Sequence, residues 1–260
     1  MRSASGTLLA VGHQNRNPFS LAIMFAYVHL TRMIVMKLHR WQSPLESTLI
    51  VGAPLLLAIV EAFHPQPHDL LHLDLHRWLA VHYTQIALFP LSALGLAWLI
   101  RGQTGIAAMI SRVALFVFGI GWTAWDAVAG VATGILVNAA RNSATPDRWR
   151  PAIDAIWLHP IMGGVPAPAF AILGAVALSV GAVAAAFVLK RAGCSWGPVV
   201  LLGISSFGIT IFKTHAWPGG PLTFGGVAIA NAWLIGEQAR KRTAGTEQEQ
   251  QMKFVSGSSL

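Results

Sequence analysis

Cysteine and charged residues are scarce in this chain. Of 260 residues, Cys194 is the single cysteine, which excludes an intrachain disulfide and a cysteine-rich metal site. Charged residues make up 11% of the chain, against about 25% in a typical soluble domain, while 54% of the residues are hydrophobic. This composition indicates a membrane protein.

Several sequence motifs are absent as well. The chain has no Gly-rich phosphate loop, no zinc-finger spacing, no Gly-x-Ser-x-Gly and no cysteine paired with a base. The net charge is +8, but the basic residues cluster between apolar runs, so membrane topology accounts for them better than nucleic-acid binding does. We therefore expect a lipid bilayer as partner and no nucleic acid.

Long apolar runs predict an all-α, polytopic transmembrane bundle. A helix needs roughly 20 apolar residues to cross about 30 Å of hydrocarbon. Six segments meet or approach this length, with the fifth the shortest: residues 46–63, 78–100, 105–138, 166–189, 197–214 and 221–238. A seventh span would be added if residues 18–36, which Arg32 interrupts, also crossed the bilayer.

The distribution of Lys and Arg predicts the orientation of these spans. With six spans, thirteen basic residues fall on one side of the membrane and five on the other. The positive-inside rule then places both termini in the cytoplasm and predicts a multi-pass protein of the plasma or inner membrane.

Three regions follow from this arrangement. Residues 1–40 form a cytoplasmic or interfacial segment, and Met36 with the basic residues after it resembles a natural start, so we expect the first 35 residues to be dispensable. Residues 41–240 form one transmembrane domain with outer loops at 64–77 and 139–165. Residues 241–260 are polar and are expected to be a disordered cytoplasmic tail.

The first outer loop holds a histidine-rich row. His64, His68, His72 and His76 recur every four residues, a spacing that a helix brings to nearly one face. Pro67 suits the first position of such a helix. We therefore predict a short amphipathic helix at the membrane surface that presents imidazoles along one side.

Carboxylates at membrane depth are the second signal. Burying a charged side chain at the bilayer centre costs roughly 2.5 to 3.5 kcal/mol on insertion scales, so such residues are usually paired or functional. Glu61 ends the first span and Asp126 lies within the third, and both are candidate catalytic residues.

A metal-dependent membrane enzyme is the first functional hypothesis. Imidazole and carboxylate ligands favour Zn or Fe over Cu as the divalent metal. Seven of the ten histidines share the outer side and are the candidate ligands: His64, His68, His72, His76, His82, His159 and His215. The substrate would be a small lipid-soluble or periplasmic molecule.

Two other functions stay open. The histidines could form the entry site of a metal-ion or small-molecule transporter, with Asp126 and Glu61 along its path. Alternatively, His82 and His215 could be the axial ligands of a b-type haem. Gly130 and Gly134 have the G-x-x-x-G spacing that lets helices pack closely, which fits packing within one chain or, as an alternative, a homo-oligomer.

Overall fold

A computed structural model describes residues 44–165 and 167–257, and all regular structure within these ranges is helical. The predicted all-α class is confirmed. The helices, numbered in chain order, are α1 (Pro44–Ala62), α2 (Leu75–Leu99), α3 (Ile106–Arg141), α4 (Arg150–Trp157), α5 (Ala169–Arg191), α6 (Trp196–Ser205), α7 (Gly208–Phe212) and α8 (Gly219–Gly257). Short 3₁₀ helices lie at Leu70–His72 and Pro146–Trp149.

Four helices, α1, α2, α3 and α5, are long and apolar enough to cross a bilayer. Their outward surfaces carry large exposed apolar side chains, such as Leu56 on α1, Phe116 on α3 and Phe187 on α5. An apolar surface of this extent is stable in lipid and unfavourable in water. The four helices correspond to the first four predicted spans and indicate a membrane protein.

The predicted fifth span is broken into α6 and α7. Ser206 Oγ donates to the carbonyl of Gly203 at 2.7 Å, and Ser205 Oγ donates to that of Leu202 at 3.3 Å. Serine hydroxyls that bond the preceding turn bend helices. Together α6 and α7 make a shorter apolar helical segment, Trp196–Phe212, and the predicted sixth span lies within α8.

Aromatic side chains fill the centre of the bundle. Phe89, Phe118, Trp122 and Phe224, from α2, α3 and α8, pack with ring centroids 5.0 to 6.4 Å apart. Where α5 crosses α3, Gly174 lies against the indole of Trp122 with no room for a Cβ. Small residues on α5 therefore let it approach the aromatic core closely.

Arginine side chains hold the loop between α1 and α2 in place. Arg141, at the end of α3, donates to the carbonyls of Leu71 and Leu73 at 2.8 and 2.5 Å. Arg150 at the start of α4 forms two hydrogen bonds to the carboxylate of Asp69, at 3.2 and 2.9 Å. Beneath these bonds Leu71, Leu73 and Trp78 pack on Val137, Ala140 and Ile153.

The predicted amphipathic helix from Pro67 is wrong. Only Leu70–His72 turns, as a 3₁₀ helix, and α2 begins at Leu75. The carbonyls of Leu71 and Leu73, which a helix would bond internally, accept from Arg141 instead. Asp69 and Asp74 cap the 3₁₀ helix and α2 separately, by accepting from the backbone N–H groups of Leu71 and Arg77.

The C-terminal residues also differ from the prediction. A disordered tail was expected from residue 241, but α8 continues to Gly257. Ala, Glu, Gln, Lys and Met are strong helix formers, and adding residues to an existing helix avoids the cost of nucleation. The predicted N-terminal segment, residues 1–40, lies outside the described residues.

Candidate functional site

Two buried histidine–carboxylate pairs lie near one end of the bundle. His82 on α2 places Nδ1 2.6 Å from Oδ1 of Asp126 on α3, and the two side chains are 4% and 1% exposed. His215, in the connection from α7 to α8, places Nδ1 3.0 Å from Oε2 of Glu61, which is 0% exposed. Each pair joins segments that are far apart in the chain.

His64 contacts both pairs. Its ring centroid lies 4.9 Å from that of His82 and 4.4 Å from that of His215, and both contacts are edge to face. Its Nδ1 lies 2.8 Å from the carbonyl oxygen of Pro65. Three imidazoles and two carboxylates, from five positions in the sequence, therefore form one continuous polar cluster, which we call the His–carboxylate cluster.

The two histidines outside the helical spans have opposite pKa shifts. Burial, with the charges of His215 and His82, holds the pKa of His64 well below its usual value. Burial alone would lower the pKa of His215 too, but the charge and hydrogen bond of Glu61, together with the charge of Asp126, raise it. The surroundings therefore favour the neutral form of His64 and the protonated form of His215.

A π turn in α3 shapes the site beside Asp126. The turn spans Ala127–Ala132, directly after Asp126. Trp78 Nε1 donates to the carbonyl of Gly130 within it at 2.7 Å. A Cβ added at Gly130 would collide with the imidazole of His82, so glycine lets α2 and α3 approach closely enough for the His82–Asp126 bond. π turns inside α-helices are frequent at functional sites.

Tryptophans enclose the other pair. The ring of Trp125 lies 5.0 Å from that of His215, and its Nε1 donates to the carbonyl of Gly163 at 2.7 Å. Trp122 lies 6.0 Å from His215. Gly220, at the start of α8, packs against the side chain of Glu61. The Glu61–His215 pair is thus held between the end of α1, the start of α8 and the aromatic face of α3.

Some buried polar atoms of the cluster make no hydrogen bond to the described residues. They are Oε1 of Glu61, Nε2 of His64, Nε2 of His82 and Oδ2 of Asp126. Buried polar atoms in proteins are nearly always hydrogen-bonded, to water or a ligand where protein groups do not reach. These four atoms are therefore the ones that the cluster offers to water, a proton or a ligand.

An apolar cavity of about 410 Å³ adjoins His215. Its walls include Trp122 and Trp125 of α3 and Ala171 and Ala175 of α5. The cavity places a hydrophobic space directly beside the Glu61–His215 pair.

The remaining predicted histidines lie elsewhere on the surface. His68, His72, His76 and His159 are exposed. His72 pairs with Asp69 at 2.9 Å, and Nδ1 of His159 accepts from the backbone N–H groups of Ile161 and Met162. Of the seven predicted ligands, the structure brings together His64, His82 and His215.

The predicted metal site is not supported. Within the part of the chain that the structure describes, no three His, Cys, Asp or Glu side chains are placed to hold one ion. The edge-to-face packing of the imidazoles turns their nitrogens in different directions. A haem held between His82 and His215 would have to displace His64, which contacts both rings.

Sequence reasoning missed the residues that position the cluster. Trp78, Trp125 and Gly130 fix the imidazoles, and Gln85 reaches Glu61 from α2. A signal was available for two of them, because Gln85 lies one turn after His82 and Trp125 directly precedes Asp126. Gly130 was noted only for its spacing to Gly134.

Comparison of the chain with models of known protein families, with curated proteins and with solved structures finds no match.

Proposed function

We propose that the chain is a multi-pass membrane enzyme whose His–carboxylate cluster performs acid–base chemistry on a lipid-soluble substrate. The observation that carries this proposal is the contact of two buried histidine–carboxylate pairs through His64. The adjoining apolar cavity supports a hydrophobic substrate.

A purely structural role explains the cluster less well. Ionisable side chains within a membrane are costly, and when they occur together they usually mark a site of proton transfer or catalysis. A structural pair would satisfy its own hydrogen bonds. Here Nε2 of His82 and Oδ2 of Asp126 are buried without a partner among the described residues.

The geometry supports a specific role for each residue. A carboxylate at Nδ1 of a histidine fixes its orientation and stabilises its charged form, which leaves Nε2 to take or give a proton. Asp126 stands in this relation to His82, and Glu61 to His215. Neutral His64 lies between them and can pass a proton from one pair to the other.

Topology adds the location of this chemistry. The six-span arrangement, with both termini in the cytoplasm, would put the His–carboxylate cluster near the outer face of the plasma or inner membrane. In this arrangement α6 and α7 together would form the fifth span, and the first part of α8 would form the sixth. Four sufficiently long apolar helices support the first four of these spans.

Isotope exchange tests the proposal without knowledge of the substrate. The protein would be placed in nanodiscs of lipid extract from the expressing cells and incubated in D₂O with H₂¹⁸O, and the lipids analysed by mass spectrometry. Acid–base chemistry should give at least one lipid with deuterium or ¹⁸O that Asp126→Asn and His82→Gln reduce by about 10²-fold or more.

Ser111→Ala is the matched control. Ser111 is buried in the same helix as Asp126, but it bonds the carbonyl of Gly181 and does not contact the cluster. Its exchange should equal that of the wild-type chain. Equal labelling in wild type and in a folded Asp126→Asn variant would overturn the proposed function.

A divalent metal is the second candidate. The observation in its favour is that Nδ1 of His64, His82 and His215 each faces an oxygen acceptor, as the second nitrogen of metal-bound histidines does. Elemental analysis of the purified protein decides this point. About one Zn or Fe per chain, lost in His64→Gln and His82→Gln, would favour the metal, and metal-free active protein would refute it.

A further inference from the structure

The cavity beside His215 has one polar end. Its polar side chains come from a single stretch of chain and are those of Thr210, Lys213, Thr214 and His215. The opposite walls are indole rings and aliphatic side chains from α3 and α5. A ligand that fits both parts must have a polar head and an apolar body.

A second cavity adjoins the first. This cavity, about 520 Å³, shares Val176 and Thr210 with the first and runs along α5 to Phe187. From Ile172 to Phe187 the helix rises about 22 Å at 1.5 Å per residue. Ile172, Val176 and Phe187 are all exposed on the outward surface of α5. The two adjoining cavities lie along the exposed apolar side of α5, and together we call them the groove.

Lys213 supplies the positive charge at the polar end of the groove, where its side chain is exposed. The neighbouring His215 is paired through Nδ1 with Glu61 at 3.0 Å, so Nε2 is its remaining hydrogen-bonding atom. Among the residues described as lining the two cavities there is no Asp or Glu. The head group that complements this end is an anion.

We propose that this groove binds a single-chain lipid with an anionic head group, such as a long-chain carboxylate. The head group lies between Lys213 and His215, and the chain follows α5 toward Phe187. This inference rests on the proposed function in one respect, since the bound lipid would be the substrate of the His–carboxylate cluster. Binding itself requires only the groove.

Tryptophan quenching measures the binding directly, because Trp122 and Trp125 line the cavity beside His215. The full chain would be placed in nanodiscs of phosphatidylcholine and titrated with brominated palmitate. We expect saturable quenching that unlabelled palmitate reverses. Brominated hexadecanol, which has the same chain and a neutral head, should bind about tenfold more weakly or worse.

Substitutions at both ends of the groove test the placement. Lys213 has a left-handed backbone with φ of 55°, which asparagine tolerates, so Lys213→Asn removes the charge without new strain. It should weaken palmitate binding about tenfold. Lys213→Arg should keep the affinity, and Thr210→Phe should block the junction of the two cavities. Arg148→Gln, which removes an exposed positive charge that lines neither cavity, is the control.

Two results would overturn the inference. One is equal affinity for palmitate and hexadecanol in the wild-type chain, a comparison that does not depend on the folding of any variant. The other is unchanged palmitate binding by a Lys213→Asn chain that melts like wild type. The palmitate titration measures binding without turnover, whereas isotope exchange measures turnover, so loss of catalysis and loss of binding are separable.

Discussion

At the scale of single residues, Gly130 controls how closely α2 and α3 approach. We predict that Gly130→Ala destabilises the protein by about 1–3 kcal/mol, because its methyl group would overlap the ring of His82 and overpacking has costs of this size. The His82–Asp126 bond should lengthen or break. The measurement is thermal unfolding in detergent, followed by fluorescence of the buried tryptophans.

Gly121→Ala is the control for this substitution. Gly121 lies in the same helix, and a Cβ there would meet no atom within 4 Å. Alanine at such a site should leave stability unchanged or raise it, since glycine is the poorer helix former. If both variants melt alike, close packing at Gly130 does not hold the pair together.

The Asp69 carboxylate should make the stability of the folded protein depend on pH. Its hydrogen bonds to Arg150, then to His72 and to the backbone of Leu71, hold the pKa of its carboxyl well below the ordinary value near 3.9. A depressed pKa in the folded state means that the stabilisation is present above that ordinary value and is lost as the pH falls below it.

We therefore expect the melting temperature to fall as the pH is lowered from 6 toward 3, and to fall less in Asp69→Asn. Asp154→Asn, which removes an exposed carboxylate from the neighbouring helix, should retain the wild-type slope. Equal slopes in wild type and Asp69→Asn would show that the Asp69–Arg150 contact contributes nothing measurable.

The sequence predicted which carboxylates belong to the cluster, but it did not predict which histidine each carboxylate contacts. Glu61 and Asp126 stand out because carboxylates are rare in apolar segments, and the structure buries both against histidines. Which histidine each meets depends on how helices from distant parts of the chain pack. Local spacing does not contain this information, so the sequence predicted a row of four histidines of which only His64 joins the cluster.

At the scale of elements, Arg141 determines the conformation of the loop from Phe63 to Asp74. Its two bonds to the carbonyls of Leu71 and Leu73 involve a charged donor, and such bonds contribute about 1.5–3 kcal/mol each. Arg141→Gln should lower the melting temperature and speed hydrogen exchange in residues 70–75. Exchange in the core of α5 should change little.

Arg148→Gln, in the same connection between α3 and α5 that follows Arg141, is the matched control. It removes one positive charge from the same side of the membrane as Arg141 but none of the hydrogen bonds to Leu71 and Leu73. An effect seen only in Arg141→Gln is therefore due to these bonds and not to a changed charge balance across the membrane. Unchanged exchange in the Arg141 variant would mean that packing of Leu71 and Leu73 alone holds the loop. The example also shows why the predicted helix failed: a distant arginine competes for its carbonyls.

At the scale of the whole molecule, the orientation in the membrane is open to a direct test. In a Cys194→Ser background, we predict that cysteine at Ala144 reacts with a membrane-impermeant maleimide in intact cells. Cysteine at Thr104 should react only after lysis, because α3 separates the two positions. The opposite pattern would place the His–carboxylate cluster on the cytoplasmic side.

The lengths of the apolar runs were sufficient to predict most of the membrane-spanning helices from the sequence. The first four predicted spans match α1, α2, α3 and α5 to within a few residues, because a continuous apolar run has few other stable structures in a membrane. The fifth predicted span is a shorter segment in two parts, because paired serines bend the chain between α6 and α7. The helix α4, between α3 and α5, was not predicted.

The π turn after Asp126 has a consequence for the whole of α3. A wider turn holds one extra residue, and one residue corresponds to a rotation of about 100° around the axis. The side chains from Thr133 to Arg141 are therefore rotated around the axis of α3, relative to where an unbroken α-helix would place them after Asp126. Deleting a single residue here would leave α3 helical and apolar but would rotate Arg141 away from the loop between Phe63 and Asp74. The number of residues in α3 therefore determines the direction in which Arg141 points.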